Sequence, residues 1–300
     1  MEMGIKILRI SVQLMLGLTF VVSGVLKAMD IYGTELKLIE YANSTGLQFL
    51  AEYNMPLSVL LCAFEIFLGL WLMIFIYRKI SLSLLIATTL LFTGTIIYLM
   101  INPEKNITDC GCFGEMLPMG ISASLLKNIV FLMLATYLLL WSARNVQIKF
   151  NKKYVAGIFG CLFASLQLPI YTANNLSLYN PTGYGEGTDL RKNEDFVVLD
   201  YNYDNVADSL LNTSEEVFVF VLKQQPTQSE TIKMKNISEK CDRNALSCFT
   251  LANNEYNFSN GINQYYADIL MLKSLVRSKN NGVIVLKNGI VKNVHKLKNY

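Results

Sequence analysis

The first half of the chain alternates long apolar runs with short polar breaks, and the second half changes character. Five runs of roughly 20 residues are long enough to cross a bilayer as helices. They fall near Ile7–Lys27, Pro56–Ile76, Ile80–Ile101, Ile121–Trp141 and Tyr154–Tyr171. Between the first two, Tyr32–Asn43 mixes Leu36, Leu38, Ile39 and Tyr41 with Glu35, Lys37 and Glu40, which suits a helix lying on a membrane face. Asn174–Glu194 holds Pro181 and several glycines and reads as a linker. The periods then shorten to those of a soluble α/β domain. Phe196–Leu199 is strand-like, Val206–Leu211 suits a short helix, and Val217–Leu222 is a continuous apolar run typical of a buried strand. Ser229–Lys240 predicts a helix, Ala245–Leu251 a strand and Asn263–Leu272 a helix. Gly282–Leu286 and Ile290–His295 predict a hairpin around Lys287-Asn288-Gly289. The expected architecture is a membrane α-helical bundle followed by a soluble α/β domain. A four-helix transmembrane domain takes 1–150, a fifth transmembrane helix 151–173, the linker 174–194 and the α/β domain 195–300.

Composition supports a membrane class. The chain has 300 residues, of which 52% are hydrophobic and only 16% charged, where a soluble protein carries about a quarter charged residues. A net charge of +3 is too small and dispersed to mark a nucleic-acid partner. The basic residues instead set orientation. Lys6 and Arg9 open the first run, Arg78 and Lys79 fill the turn between the second and third, and Arg144, Lys149, Lys152 and Lys153 lie between the fourth and fifth. By the positive-inside rule all three sites are cytoplasmic, and so is the amino terminus. The loops near 28–55 and 102–120, and everything after Tyr171, then face outward. This predicts a multi-pass protein of a bacterial inner membrane with a periplasmic carboxy-terminal domain. The first run lacks a small-residue cleavage site and continues into a helical pattern past Ser23, so it reads as a retained span.

Candidate chemistry centres on Cys110-Gly111-Cys112-Phe113-Gly114, in the outward loop between the third and fourth spans. Two thiols separated by one glycine can close a small, strained disulfide of the labile, redox-active kind. The alternative is a static bridge that pins the loop. Cys62 and Cys161 lie inside apolar runs and read as small buried hydrophobes. Cys241 and Cys248, at a helix end and in the next strand, are candidates for a structural disulfide, with a shuttle pair as the sharper alternative. Glu65 lies near the middle of the second span, where an ionisable group needs a partner or a cavity. Lys127 is the preferred partner and Lys27 the second candidate. The three form either a proton or quinone site or a buried ion pair that fixes helix packing. Gln13 and Gln167 read as interhelical hydrogen-bonding residues. A single histidine, His295, leaves too few ligands for a zinc site and gives no support to a Ser-His-Asp device. Phosphate-binding glycine loops are absent too.

Particular residues resemble a known family. The first span, ending in Ser23-Gly24 and Lys27 with Asp30 and Gly33 following, resembles the opening of DoxX-like membrane proteins. The loop Asp109-Cys110-Gly111-Cys112-Phe113-Gly114 resembles that of the MauE branch, and the likeness covers about residues 5–145. With its soluble tail the chain is similar to DoxX proteins of Bacteroides-like bacteria. The resemblance implies a four-helix bundle and a link to disulfide formation in a periplasmic thiol protein. Such a bundle is also similar to the vitamin K epoxide reductase and DsbB oxidases, which pass electrons from thiols to quinone, so the implied cofactor is a quinone. Those enzymes use Cys-x-x-Cys and a second loop pair, whereas this chain has Cys-x-Cys and no cysteine in its other outward membrane loop. The tail resembles a thioredoxin-like fold that has lost its chemistry. Gln224-Gln225-Pro226-Thr227-Gln228 stands where Cys-x-x-Cys would open the helix, and Asn280-Asn281-Gly282 stands where a cis-proline would precede the hairpin. Two functions follow as expectations. One is a membrane thiol–disulfide redox protein working through Cys110 and Cys112. The other is a non-catalytic scaffold whose outer domain binds a partner protein.

Overall fold

The computed structural model describes residues 2–46, 53–102, 111–117, 119–142, 152–180, 183–212, 215–256 and 262–300. The chain divides into two compact units, Met1–Tyr171 and Thr172–Tyr300.

In the first unit every expected span is a helix: α1 (Glu2–Met29), α3 (Asn54–Met73), α4 (Arg78–Ile101), α5 (Ile121–Ser142) and α6 (Lys152–Asn174), which begins here and ends in the second unit. All five are long and apolar enough to cross a membrane, so the protein is a multi-pass membrane protein. The amphipathic segment is α2 (Ile31–Thr45). It starts because the Asp30 carboxylate accepts from the Gly33 amide at 3.2 Å, satisfying a free donor of the first turn. α3 stops three residues before the end of its apolar run. Phe75 and Tyr77 adopt φ of 57° and 47°, and the indole of Trp71 donates to the Ile76 carbonyl at 2.8 Å. Hydropathy does not register this turn, because the residues that make it are themselves apolar.

Helices α1 and α3 meet through glycine. A Cβ on Gly69 would lie 2.5 Å from the Gly17 carbonyl oxygen, and one on Gly24 would lie 2.9 Å from that of Cys62. Lipid competes well for apolar side chains, so helices in a bilayer gain from such close backbone approach. Gln13 adds an interhelical bond from Nε2 to the Leu72 carbonyl at 2.8 Å. Gln167 differs from expectation: its amide bonds the Phe163 carbonyl one turn back in its own helix, at 3.2 Å. The bundle core gathers Leu16, Leu68, Leu72, Leu85 and Leu138. Its two ends are chemically distinct. At one, the Arg9 guanidinium lies 4.3 Å from the Trp141 ring centroid and that of Arg78 lies 5.2 Å from the same ring. Lys27 and Cys112 occupy the other.

The second unit is a five-stranded sheet in the order β3-β2-β1-β4-β5. Its elements are α7 (Ala207–Leu211), β1 (Glu216–Leu222), α8 (Gln228–Arg243), β2 (Ser247–Ala252), β3 (Asn263–Tyr266), α9 (Ile269–Leu275), β4 (Gly282–Lys287) and β5 (Ile290–Lys296). Strands β1, β2 and β3 run parallel, while β4 is antiparallel to β1 and to β5. β1 sits centrally, buried on both faces, as its unbroken apolar run requires. The β4–β5 hairpin turns at Asn288 and Gly289 as expected.

Three expectations are corrected here. Asn263–Tyr266 is a strand rather than the start of a helix, because Asp268 caps α9 by accepting from the Leu270 amide at 2.7 Å. Phe196–Leu199 forms no strand; Leu199 makes only isolated bridges to Asn205 and Tyr266. Part of the expected linker belongs to the core, since Tyr184 and Leu190 pack against Val219 and Val291. The glycines there close turns, and the apolar residues between them carry the packing.

Two measurements test this construction. Gly69→Val should force α1 and α3 apart at their closest point, costing about 1–3 kcal/mol and lowering the melting temperature in detergent. Unchanged melting would show that the approach does not hold the bundle. In the second unit, Thr227 accepts from the Glu230 amide and the Glu230 carboxylate accepts from the Thr227 amide at 2.9 Å. Thr227→Ala should cost about 1 kcal/mol, read from denaturant melting of the α/β unit's signal.

Candidate functional site

Lys27 and Ser23 are four residues apart on α1 and therefore share a helix face. The glycine contacts turn that face onto α3, where Glu65 projects. Lys27 Nζ donates to Glu65 Oε1 at 2.5 Å, with side-chain exposures of 5% and 1%. The same ammonium lies 3.3 Å from Ser23 Oγ. Ser23 Oγ is in turn 2.8 Å from Glu65 Oε2 and 2.6 Å from the backbone carbonyl oxygen of Cys112. A hydroxyl carries one proton, so Ser23 donates to one of these acceptors at a time while its lone pairs receive from Lys27. Four residues from two helices and a loop thus form one continuous polar network inside an apolar bundle. Each ion alone would be too costly to bury, and pairing with full hydrogen bonding offsets that cost.

The loop is shaped to reach this network. Gly111 and Gly114 take φ of 56° and 67°, a left-handed conformation that other residues adopt only with strain, and the Gly114 amide bonds the Gly111 carbonyl at 3.0 Å. A Cβ on Gly114 would stand 3.4 Å from the Lys27 Cα, so the loop lies close against the end of α1. Cys112 is disulfide-bonded, whereas Cys62, Cys161, Cys241 and Cys248 are free thiols. Cys110 lies outside the described residues.

Among the described residues, Cys112 borders two cavities. One of about 190 Å³ has apolar walls that include Leu61, Phe92 and Leu99, with Lys27, Thr34 and Tyr41 supplying polar groups. The other, of about 20 Å³, is bordered by Ser23, Glu65, Phe113, Lys127 and Asn128.

The structure changes the expected pairing of Glu65. Lys127 borders the same small cavity, but its ammonium lies 4.7 Å from the Phe113 ring centroid, a cation–π contact. Lys27 is the ion-pair partner. Sequence position alone does not separate the two lysines, because the direction in which a side chain faces depends on which helices touch. Ser23 had entered only as part of a sequence motif; its spacing of four from Lys27 was the signal that it shares that face.

Cys241 and Cys248 do come together but are not bridged. Burial pushes the Cys241 thiol up to about 12, with the neighbouring Cys248 and Asp242 adding to the effect. At the other end of α8 the side chain of Asn281 accepts from the Lys223 amide at 2.9 Å and donates to the Glu230 carboxylate at 3.3 Å. Glu230 is 5% exposed. The helix start where a thioredoxin-like protein would carry its cysteines is therefore filled by a polar lock.

Residues 5–142 match the family described as methylamine utilisation protein MauE. Over 165 residues the chain is 29% identical to Protein TlpB of Flavobacterium psychrophilum, covering 51% of this chain and 43% of that protein. The chain thus spans less than half the length of that relative. No solved structure matches it. The MauE-like region is the part of the chain that holds Ser23, Lys27, Glu65 and Cys112 together.

Proposed function

We propose that the protein is a membrane thiol–disulfide redox protein in which Cys110 and Cys112 form the exchanging pair. The observation that carries this reading is the Ser23 hydroxyl, which links the backbone of a disulfide-bonded cysteine to a buried ion pair. A loop pinned only for structure has no need of an intramembrane carboxylate and ammonium at its base. Similarity of the same region to MauE supports the reading. The arrangement of basic residues supports an orientation with the amino terminus and the Arg9–Arg78 end in the cytoplasm. The Cys112 loop and the α/β unit would then face the periplasm of an inner-membrane protein.

In this reading a thiolate of a periplasmic dithiol protein attacks one sulfur of the Cys110–Cys112 disulfide, breaking that bond and forming a mixed disulfide. The partner's second thiolate attacks its own bridged sulfur, leaving the partner oxidised and Cys110 and Cys112 reduced by two electrons. The two leaving thiolates each take a proton. Ser23 connects the loop to Glu65 and Lys27, which can hold or release a proton at the carboxylate. The 190 Å³ cavity suits a quinone ring by its apolar walls and few hydrogen-bonding groups, and Lys27, Thr34 and Tyr41 would hold its oxygens. A bound quinone supplies an acceptor for two electrons and two protons. The α/β unit, whose strand order and capped α8 suit a degenerate thioredoxin-like module, would bind the partner.

A non-catalytic scaffold is the competing reading, and the polar lock at the start of α8 favours it for the α/β unit alone.

Two experiments decide between them. Cys112→Ser should leave Cys110 able to hold a partner as a mixed disulfide, recovered from membranes under non-reducing conditions and absent from Cys110→Ser/Cys112→Ser. A scaffold would show no such adduct. Glu65→Gln leaves Lys27 buried without its counter-ion, which should cost about 3–5 kcal/mol and reduce yield. Lys27→Met/Glu65→Leu removes both charges and should restore folding. If the pair serves proton movement, that double variant should still lose thiol exchange by roughly 100-fold. Full exchange activity in the double variant would reduce the pair to a packing role.

A further inference from the structure

A second pair of thiols lies in the α/β unit. Cys241 sits in the last turn of α8 and Cys248 is the second residue of β2. The intervening turn is tightly closed: the amides of Asn244 and Leu246 bond the Cys241 carbonyl at 3.1 and 2.9 Å, and Ala245 takes a left-handed φ of 54°. This geometry returns the chain so that Cys248 packs against the buried cluster that contains Cys241. The Cys248 Sγ also lies 3.7 Å from Ser238 Oγ, one turn back on α8. Both thiols are free. Their accessibilities differ sharply, since Cys241 is 1% exposed among Phe220, Met234 and Ile237 while Cys248 is half-buried.

We propose that Cys241 and Cys248 are a second thiol–disulfide exchange site, with Cys248 as the thiol that meets an exposed disulfide and Cys241 as the thiol that resolves it. It goes beyond the reading of Cys110 and Cys112 and stands independently of it. The site lies at the opposite end of α8 from the position where a thioredoxin-like protein would carry its motif. A helix carboxy terminus and an apolar core both disfavour a thiolate, in keeping with the raised Cys241 thiol. A dithiol whose reduced form gains no thiolate stabilisation gives up its electrons readily, so the pair acts as the reductant. Cys248 as thiolate attacks one sulfur of the substrate disulfide, that S–S bond breaks, and the departing sulfur takes a proton. Cys241 as thiolate then attacks Cys248 Sγ, which closes the intramolecular disulfide and expels the second thiol. Two electrons pass from the pair to the substrate, and two protons leave with its sulfurs.

The test uses full-length protein in detergent with Cys110→Ser/Cys112→Ser as background, so that its outcome does not depend on the membrane-side pair. The protein is reduced, freed of reductant and incubated with glutathione disulfide, then alkylated and mapped by peptide mass spectrometry. A Cys241–Cys248 bridge should form with release of two glutathiones per chain. Cys241→Ser should instead accumulate glutathione on Cys248, while Cys248→Ser should slow adduct formation at Cys241 by at least about tenfold. Should Cys241→Ser fold poorly, a transient Cys248 adduct preceding the bridge in the background protein is the equivalent expected result. Two thiols that stay alkylatable after prolonged oxidant, or an adduct that appears first on Cys241, would overturn the proposal.

Discussion

The buried pair of Lys27 and Glu65 is the interaction on which the rest of the membrane-embedded unit depends. A lone charge at that depth in an apolar bundle would cost several kcal/mol, so each residue constrains where the other helix sits. With the ammonium 2.5 Å from the carboxylate, α1 and α3 have little freedom to rotate or slide past one another. Gly17, Gly24 and Gly69 make that register possible, since side chains at these positions would hold the backbones apart. Polar pairing and small-residue packing therefore act together, the first choosing the register and the second permitting the distance.

That register also fixes the chemistry. Ser23 reaches the loop only because α1 presents it beside Glu65, and the loop accepts it through a backbone carbonyl, so the contact sets no demand on the side chain of Cys112. Thiol exchange moves protons as well as electrons. In the proposed function, a network whose single hydroxyl proton is shared between a carboxylate and the loop would couple the two. The adjoining 190 Å³ cavity places apolar volume beside the same cysteine.

The α/β unit solves a different problem. Its central strand β1 is covered on both faces, by Leu190, Leu251 and Leu272 among others on one side and Met234, Ile237 and Cys241 on the other. At the start of α8 the capping box and Asn281 satisfy the free amides of Glu230 and Lys223. Cys241 lies at the helix end least favourable to thiolate, and Cys248 follows in β2.

The spans and most α/β elements were legible in the chain because hydrophobic length and periodicity are local properties, and each long apolar run became a helix. The Cys110–Gly114 loop and the oddity of Glu65 were legible for a similar reason: a charge within an apolar run stands out whatever surrounds it. Which lysine neutralises Glu65 was not, because a local reading leaves both Lys27 and Lys127 as partners and only the glycine-mediated contact of α1 with α3 chooses between them. The strand at Asn263–Tyr266 and the core role of Tyr184 and Leu190 escaped local reading too, since pairing with β2 and burial under the sheet come from distant residues. The proximity of Cys241 and Cys248 followed from a helix end and the next strand; their state as free thiols in contact did not. Sequence by itself determined which segments enter the membrane and which residues carry unusual chemistry, because those follow from the cost of polar groups in lipid. Tertiary structure alone decided which of those residues touch, because helix rotation and register are set by packing between segments far apart in the chain.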